Sequence, residues 1–230
     1  MEAIILAGGM GTRLSSVIQN VPKCMAPIAG KPFLHWLIVQ LKKGGISHFI
    51  FSVGYLKAQI ITWAANNLKP NEYKICEELT PLGTGGGIKA AMEYCTQKNI
   101  FAVNGDTFYE VNFNAIMAWH VINNALCTLA LKPMKTFDRY GTVVTNTNSV
   151  ITNFNEKKYT AEGLINGGVY CINRANFLTL GLPNKFSFET DFLQPQAQKN
   201  SLYAVEQNGY FIDIGIPEDY KIANAYFNLK

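Results

Sequence analysis

The sequence predicts an α/β fold, a doubly wound, mostly parallel sheet carrying an added mixed β layer. Three observations lead there. Short apolar runs alternate with helically periodic segments through the first half, the rhythm of parallel strands joined by crossover helices. Glycines or a lone acid follow directly on several of those runs, where an open α/β sheet presents its ligand side. The second half changes to a succession of short β runs with fewer helices between them.

Taken in order, Ala3 to Ala7 suits a short buried strand. It enters Gly8, Gly9 and Gly11, with Thr12 and Arg13 directly behind, and Ser15 to Asn20 reads as a short helix or turn. Pro22 and Pro27 fix a stiff, extended path that holds Lys23. Pro32 sits at the expected first turn of a helix whose apolar face is Phe33, Leu34, Trp36, Leu37, Ile38 and Leu41 and whose stop is Gly44-Gly45. That helix fits a core or an interface, which leaves a homo-oligomer open; His35 on it reads as a packed or half-exposed histidine. Phe49 to Val53 is a second strand, Gln59 to Leu68 a helix, Tyr73 to Cys76 a third strand, and Gly83 to Cys95 a helix opening on glycines. Ile100 to Val103 is a fourth strand, ending at Asn104-Gly105-Asp106.

Beyond it, Ala125 to Met134, Gly141 to Asn146, Val150 to Phe154 and Gly163 to Ile172 are β runs, with a turn at Asn146 to Ser149. Phe177 to Leu180 and Thr190 to Gln198 look helical, Leu202 to Glu206 and Gly209 to Ile212 extended, and Pro217 to Leu229 a closing helix. No repeat, low-complexity tract or linker marks a domain boundary.

Composition narrows the function classes. With 48% hydrophobic and 16% charged residues, the 230-residue chain falls with soluble globular proteins able to bury a core. The net charge of +4 is scattered, so no nucleic-acid or membrane-surface footprint is expected, and small anionic substrates fit better. Five cysteines without C-x-x-C spacing argue against a disulfide framework or zinc site and for a reducing, cytoplasmic setting. The N-terminus does not read as a signal peptide, and no apolar run approaches the ~20 residues of a membrane span.

The chemistry gathers at a few places. Backbone amides of Gly8, Gly9 and Gly11 can approach a ligand with no Cβ in the way, and Arg13 adds a fork of donors matched to phosphate oxygens. The pattern is neither the dinucleotide fingerprint, which needs glycine where Leu14 stands, nor the P-loop. The plainer alternative is a tight strand-to-helix turn. Leu82 to Lys89, with Gly83, Thr84, Gly85, Gly86 and Gly87, could let a flat base lie against bare backbone, or be a helix-capping turn. Asp106 and Asp213 each close an apolar run beside a glycine, and two carboxylates facing a triphosphate are what Mg²⁺ takes alongside phosphate oxygens and water. Either could instead cap a turn. Glu156-Lys157 offers a cation for a second anionic group or is a solvated pair. Asn166-Gly167-Gly168 marks close backbone approach or a bulge. Arg139-Tyr140-Gly141 is similar in character, and Asp138 and Glu189 carry less weight. His35, His48 and His120 lie away from the glycine loops, and no nucleophile elbow occurs, so covalent catalysis lacks support. Direct displacement at phosphorus remains.

These residues resemble a family. Leu6-Ala-Gly-Gly-Met-Gly-Thr-Arg-Leu14 followed by Pro22-Lys23-Cys-Met-Ala-Pro27 is similar to the signature of the sugar-1-phosphate nucleotidyltransferases. Leu82 to Gly86, Asn104 to Asp106, Phe154 to Lys157, Asn166 to Gly168 and Asp213 to Glu218 fall in that family's order, so the resemblance spans residues 1 to about 222. Within it, Asp138 to Gly141, Gly163 to Gly168 and Lys185 to Glu189 look most like the D-glycero-α-D-manno-heptose 1-phosphate guanylyltransferases. Cys24 departs from the proline or glutamine common there.

The resemblance implies the Rossmann-like nucleotide-diphospho-sugar transferase fold as a single domain over 1–230. About 1–110 would form a nucleotide-binding half and about 111–230 a sugar-binding half. It implies transfer of GMP from GTP to the heptose 1-phosphate with release of pyrophosphate, using Mg²⁺. Leu6, Ala7, Gly8, Gly9, Gly11, Thr12, Arg13, Lys23, Gly83 and Thr84 would surround the nucleotide. Asn104, Tyr140, Gly141, Glu156, Lys157, Asn166 and Gly167 would surround the sugar phosphate, and Asp106 and Asp213 would hold the metal. Arg13, Lys23 and Asp106 would carry the catalysis. Alternatives are a hexose-1-phosphate uridylyl- or thymidylyltransferase, a mannose-1-phosphate guanylyltransferase, or a non-catalytic sugar-nucleotide-binding regulator. A bacterial surface polysaccharide such as a capsule is the expected destination of a GDP-heptose.

Overall fold

The computed structural model describes residues 1–9, 18 and 20–229. Gly11, Thr12, Arg13 and the helix or turn expected over Ser15 to Asn20 therefore lie largely or wholly outside the described residues. Strand β1 (Glu2–Leu6) is followed by a 3₁₀ turn at Lys23–Met25, a tight ladder of β2 (Pro27–Ile28) with β3 (Lys31–Pro32), and helix α1 (Phe33–Lys43). Then come β4 (His48–Val53), α2 (Lys57–Asn67), β5 (Tyr73–Glu77), α3 (Gly83–Ala91), β6 (Asn99–Asn104), β7 (Thr107–Tyr109) and α4 (Phe113–Ile122). The second half runs β8 (Cys127–Phe137), β9 (Val143–Thr145), β10 (Ile151–Phe154), β11 (Thr160–Asn173), α5 (Arg174–Leu178), a π-helical turn Phe188–Leu193, α6 (Gln194–Ala197), β12 (Leu202–Glu206), β13 (Phe211–Asp213) and α7 (Pro217–Phe227).

Seven strands form one sheet in the order β12-β8-β11-β6-β1-β4-β5. Every neighbouring pair is parallel except the two that involve β11, so one reversed strand joins the halves. The mixed part is thus continuous with the parallel part, and two-stranded ladders β9–β10 and β7–β13 stand beside it. Successive residues of β1 feed opposite cores, as strand periodicity requires. Ala3 and Ile5 pack with Leu34, Leu37 and Leu41 of α1, Ile60 of α2 and Phe113 of α4. Ile4 packs on the other face with Ile88 of α3, Phe177 of α5 and Phe188. A third cluster joins Ile28, Phe33, Phe108, Ile212 and Phe227, so the chain's two ends share one core.

Several local expectations shift. The Pro22–Pro27 stretch is extended only at its ends, because Lys23, Cys24 and Met25 keep free N–H groups and close a 3₁₀ turn, with Met25 N donating to Pro22 O at 2.8 Å. Pro32 is the residue before α1, with ψ 142°, and not in its first turn. Helix α4 falls where the sequence reading assigned no element. Its apolar residues lie on every side (Phe113, Ile116, Met117, Trp119, Val121, Ile122), so it carries no periodic stripe. Helix α1 belongs to the core, with Phe33, Leu34, Leu37, Ile38 and Leu41 buried and Trp36 stacked on Phe227. All five cysteines are free and buried. Among the described residues no helix is long and apolar enough to cross a membrane.

Candidate active site

Two clefts open at the carboxyl end of the sheet and meet at Asn104 and Asp106, just past β6. The larger, about 780 Å³, is lined by Leu6, Ala7, Gly8, Gly9, Lys23, Gly54, Glu78, Gly83 and Thr84 among others. The smaller, about 380 Å³, is lined by Arg139, Tyr140, Gly141, Glu156, Lys157, Asn166, Gly167, Glu189, Thr190 and Asp213 among others. Every described residue that the sequence assigned to the nucleotide lines the first cleft, and every residue assigned to the sugar phosphate lines the second. Asp138 lines neither.

The junction is built by strand pairing. Antiparallel β13 lays Asp213 opposite Thr107 of β7, and Ile214 N donates to Asp106 O at 3.1 Å, so the two carboxylates lie side by side despite their separation in sequence. The 3₁₀ turn brings Lys23 to Asp106. Its Nζ stands 2.6 Å from Asp106 Oδ2, and a Cβ added to Gly215 would lie 3.3 Å from that Nζ and 2.9 Å from Asp213 Oδ1. Asp213 Oδ1 also accepts from Gly215 N at 2.8 Å. Cys24, beside Lys23, points into the core, where burial and then the Asp106 charge push its thiol up to about 12.

Glycine does two different jobs around the first cleft. Among the described residues, a Cβ at Gly9 would meet nothing within 4 Å. The Gly83–Gly87 segment is the reverse. The aromatic ring lying against it is the chain's own Phe186, which a Cβ at Gly85 would strike, while one at Gly86 would strike Asn184 O. Gly83 itself has φ +74°, a conformation open to glycine, and with Thr84 it keeps one side on the cleft. Packing within the chain thus accounts for Gly85 and Gly86, while Gly83 and Thr84, the two assigned to the nucleotide, line the cleft.

Glu78 is a site residue that sequence reasoning missed. Its carboxylate accepts from Ser52 Oγ at 2.7 Å and Leu82 N at 3.2 Å and forms part of the cleft wall next to Gly8. In Glu77-Glu78-Leu79-Thr80-Pro81 it resembles an ordinary polar loop. The signal that could have found it is its place directly after strand β5, where the other cleft residues also sit.

In the second cleft, Asn166 opens a bulge, where four steps along β11, Asn166 to Tyr170, match two along β8. Its Oδ1 accepts from Gly168 N at 3.0 Å and its Nδ2 donates to Tyr170 Oη at 2.9 Å. Gly168 has φ +71°, and a Cβ there would come within 2.6 Å of Asn104 Nδ2. Arg139 donates to Asp219 Oδ2 at 2.5 Å, from the first turn of α7, and to Tyr140 Oη at 3.2 Å. Burial works against the Arg139 charge, yet Asp219 and Asp213 hold its pKa above the ordinary value. Burial, then the Asp213 charge, pushes the Tyr140 phenol up to about 12. Asp219 too was not foreseen, since nothing in Pro217-Glu218-Asp219 distinguishes it from an ordinary acidic helix start.

The sequence profile of the nucleotidyl transferase family matches residues 2–228. The chain belongs to that family. Among family relatives, a D-glycero-alpha-D-manno-heptose 1-phosphate guanylyltransferase of Aneurinibacillus thermoaerophilus is 48% identical, over 97% of this chain and 96% of its own. The same-named protein of Campylobacter jejuni is 42% identical over 96% of this chain and 97% of its own. The crystal structure of HddC from Yersinia pseudotuberculosis complexed with GMP-PN superposes with a TM-score of 0.87 at 34% identity, covering 98% of this chain and 99% of that one. The nucleotidyl transferase fold and its mostly parallel sheet are therefore those expected from the sequence.

Proposed function

We propose that this chain transfers GMP from GTP to D-glycero-α-D-manno-heptose 1-phosphate, giving GDP-heptose and pyrophosphate. The observation that carries the reading is the 48% identity, over nearly the whole of both chains, to a guanylyltransferase of that name. The HddC complex with GMP-PN fits a guanine nucleotide. The two clefts that share Asn104 and Asp106 supply room for a donor and an acceptor on either side of one point.

In this reading residues 1–110 hold the nucleotide and 111–230 the acceptor, within a single domain. The acceptor's phosphate oxygen attacks the α-phosphorus in line, the bond to the β-phosphate oxygen breaks, and pyrophosphate leaves with those electrons. Lys23 neutralises charge growing at the α-phosphate. Arg13 and the amides of Gly8, Gly9 and Gly11, with Thr12, hold the leaving group, while Leu6, Ala7, Gly83 and Thr84 bound the nucleoside. Lys157 grips the acceptor phosphate, and Asn104, Tyr140, Gly141, Glu156, Asn166 and Gly167 face the sugar. The work is positioning and preorganised charge, with no covalent intermediate.

Asp106 and Asp213 fit Mg²⁺. The pairing of β7 with β13 brings their residues to one place, and Asp106 already pairs there with the Lys23 ammonium. Among the described residues no set of three or more His, Cys, Asp and Glu gathers, which suits a hard ion that takes its other ligands from phosphate and water. When bound, the ion would supply charge neutralisation on the triphosphate. A cytoplasmic setting and supply of a bacterial surface polysaccharide follow from such a product.

The test is a panel of four nucleoside triphosphates against heptose, mannose and glucose 1-phosphates, reading pyrophosphate release. GTP with the heptose 1-phosphate should give the highest kcat/KM. Activity confined to UTP or dTTP overturns the guanylyl assignment, and preference for mannose 1-phosphate overturns the acceptor.

A further inference from the structure

Segment 182–188 packs along helix α3 and then delivers Glu189 and Thr190 to the wall of the second cleft. Four contacts seat it. Phe186 N donates to Leu82 O at 3.0 Å, Gly85 N donates to Phe186 O at 3.1 Å, and Phe188 N donates to Thr84 Oγ1 at 2.9 Å. The fourth is Lys89, on α3 and outside both clefts. Its ammonium donates to Leu182 O at 2.6 Å and Asn184 Oδ1 at 3.0 Å, with Pro183 O at 3.5 Å. Among the described residues Lys89 has no carboxylate within salt-bridge distance; its three donors go to neutral oxygens of one loop. A solvated surface lysine has no reason to do this. A lysine that anchors the near end of a loop, whose far end is held on α3 at Phe186 and Phe188, does.

We propose that Lys89 is a positioning residue for the acceptor cleft. By fixing Leu182 to Asn184 on α3, it sets where Glu189 and Thr190 stand against the sugar 1-phosphate. The nucleotide cleft depends less on the clamp, because Gly83 and Thr84 belong to α3, which the sheet holds through Ile88 and Ala91, and Thr84 meets the loop only at Phe188, beyond the lysine's contacts. Loosening the loop therefore separates the two substrates' affinities. The kinetic part of this inference rests on the proposed transferase reaction; the structural part does not.

The experiment compares Lys89→Met, which keeps the apolar stem, with Lys89→Arg, which keeps charge and donors. In Lys89→Met, KM for the sugar 1-phosphate should rise about 10-fold while KM for GTP and kcat stay within about twofold, since a small displacement of positioning groups suffices for such losses. Lys89→Arg should recover most of the loss. Equal changes in both KM values, or none, overturn the proposal. Amide exchange at Phe186 and Phe188 without substrates supplies a readout independent of turnover, and it should quicken in Lys89→Met; unchanged protection also overturns the clamp. If the wild type uses no sugar 1-phosphate, the reaction assignment fails while the exchange data still judge the clamp.

Discussion

The two clefts are built by different means. The larger cleft, proposed for the nucleotide, draws Leu6 to Gly9 from the end of β1 and the turn after it and Gly83-Thr84 from the start of α3. The acceptor side is mostly side chains drawn from Arg139-Tyr140, Glu156-Lys157, Asn166, Glu189 and Asp213. A backbone site recognises what its ligands have in common, such as phosphates and a flat base, and tolerates sequence drift. A side-chain site can distinguish one sugar from another, but it is assembled only by folding. Asp106 and Lys23 stand where the two meet.

Perturbing that meeting point should damage both sides and give the largest effect. Asp106→Asn should lower kcat about 1,000-fold, by analogy with loss of a preorganised charged group, while circular dichroism shows an unchanged fold. Turnover near wild type would remove Asp106 from the junction. Lys157→Met should act on the acceptor side alone. Loss of a charge-assisted hydrogen bond, about 1.5–3 kcal/mol, corresponds to a rise of roughly 10- to 100-fold in KM for the sugar phosphate, with KM for GTP steady. A matching rise for GTP would dissolve the division between the clefts.

Two glycines sharpen the contrast further. Gly9→Ala adds a methyl that meets none of the described residues within 4 Å, so the melting temperature should hold while KM for GTP rises about 10-fold through lost close approach. Gly167→Ala would push its Cβ into the Tyr109 ring and should cost about 1–3 kcal/mol of stability, read by denaturant unfolding. A stable Gly167→Ala with weakened GTP binding would reverse these assignments.

A last effect concerns neither cleft. His120 is buried on α4 with Nδ1 3.0 Å from Thr128 Oγ1, and burial, then the charge of Lys98, lowers its pKa from 6.5 to about 4. The unfolded chain therefore takes up the proton first. The contribution of the neutral ring is complete above about pH 6.5 and drains away as pH falls toward 4, by up to about 3 kcal/mol. Unfolding measured between pH 7 and pH 4 should show this slope, and His120→Gln should flatten it.

Legibility in the sequence follows the same division. The first four strands and their helices were readable because each apolar run is continuous and punctuated by glycine or proline. The place of Gly8-Gly9, Lys23 and Asp106 on a cleft was readable because they sit at strand ends or between prolines. Helix α4 was not, since it is apolar all round. Neither the Arg139–Asp219 pair nor the Lys89 loop contacts were readable, because their partners are remote in sequence and chemically ordinary. The Gly83–Gly87 segment misled in part: glycines that admit a ligand and glycines that admit a phenylalanine are written with the same letter.

The short β7–β13 ladder carries a consequence for synthesis. Asp106 emerges early but has no companion until Phe211 to Asp213 returns to lie against Thr107 to Tyr109. A nascent chain can thus complete most of its parallel sheet and still lack the paired carboxylates. Under the proposed function, competence for chemistry therefore waits on the last part of the chain, which also closes the core around Phe33 and Phe108.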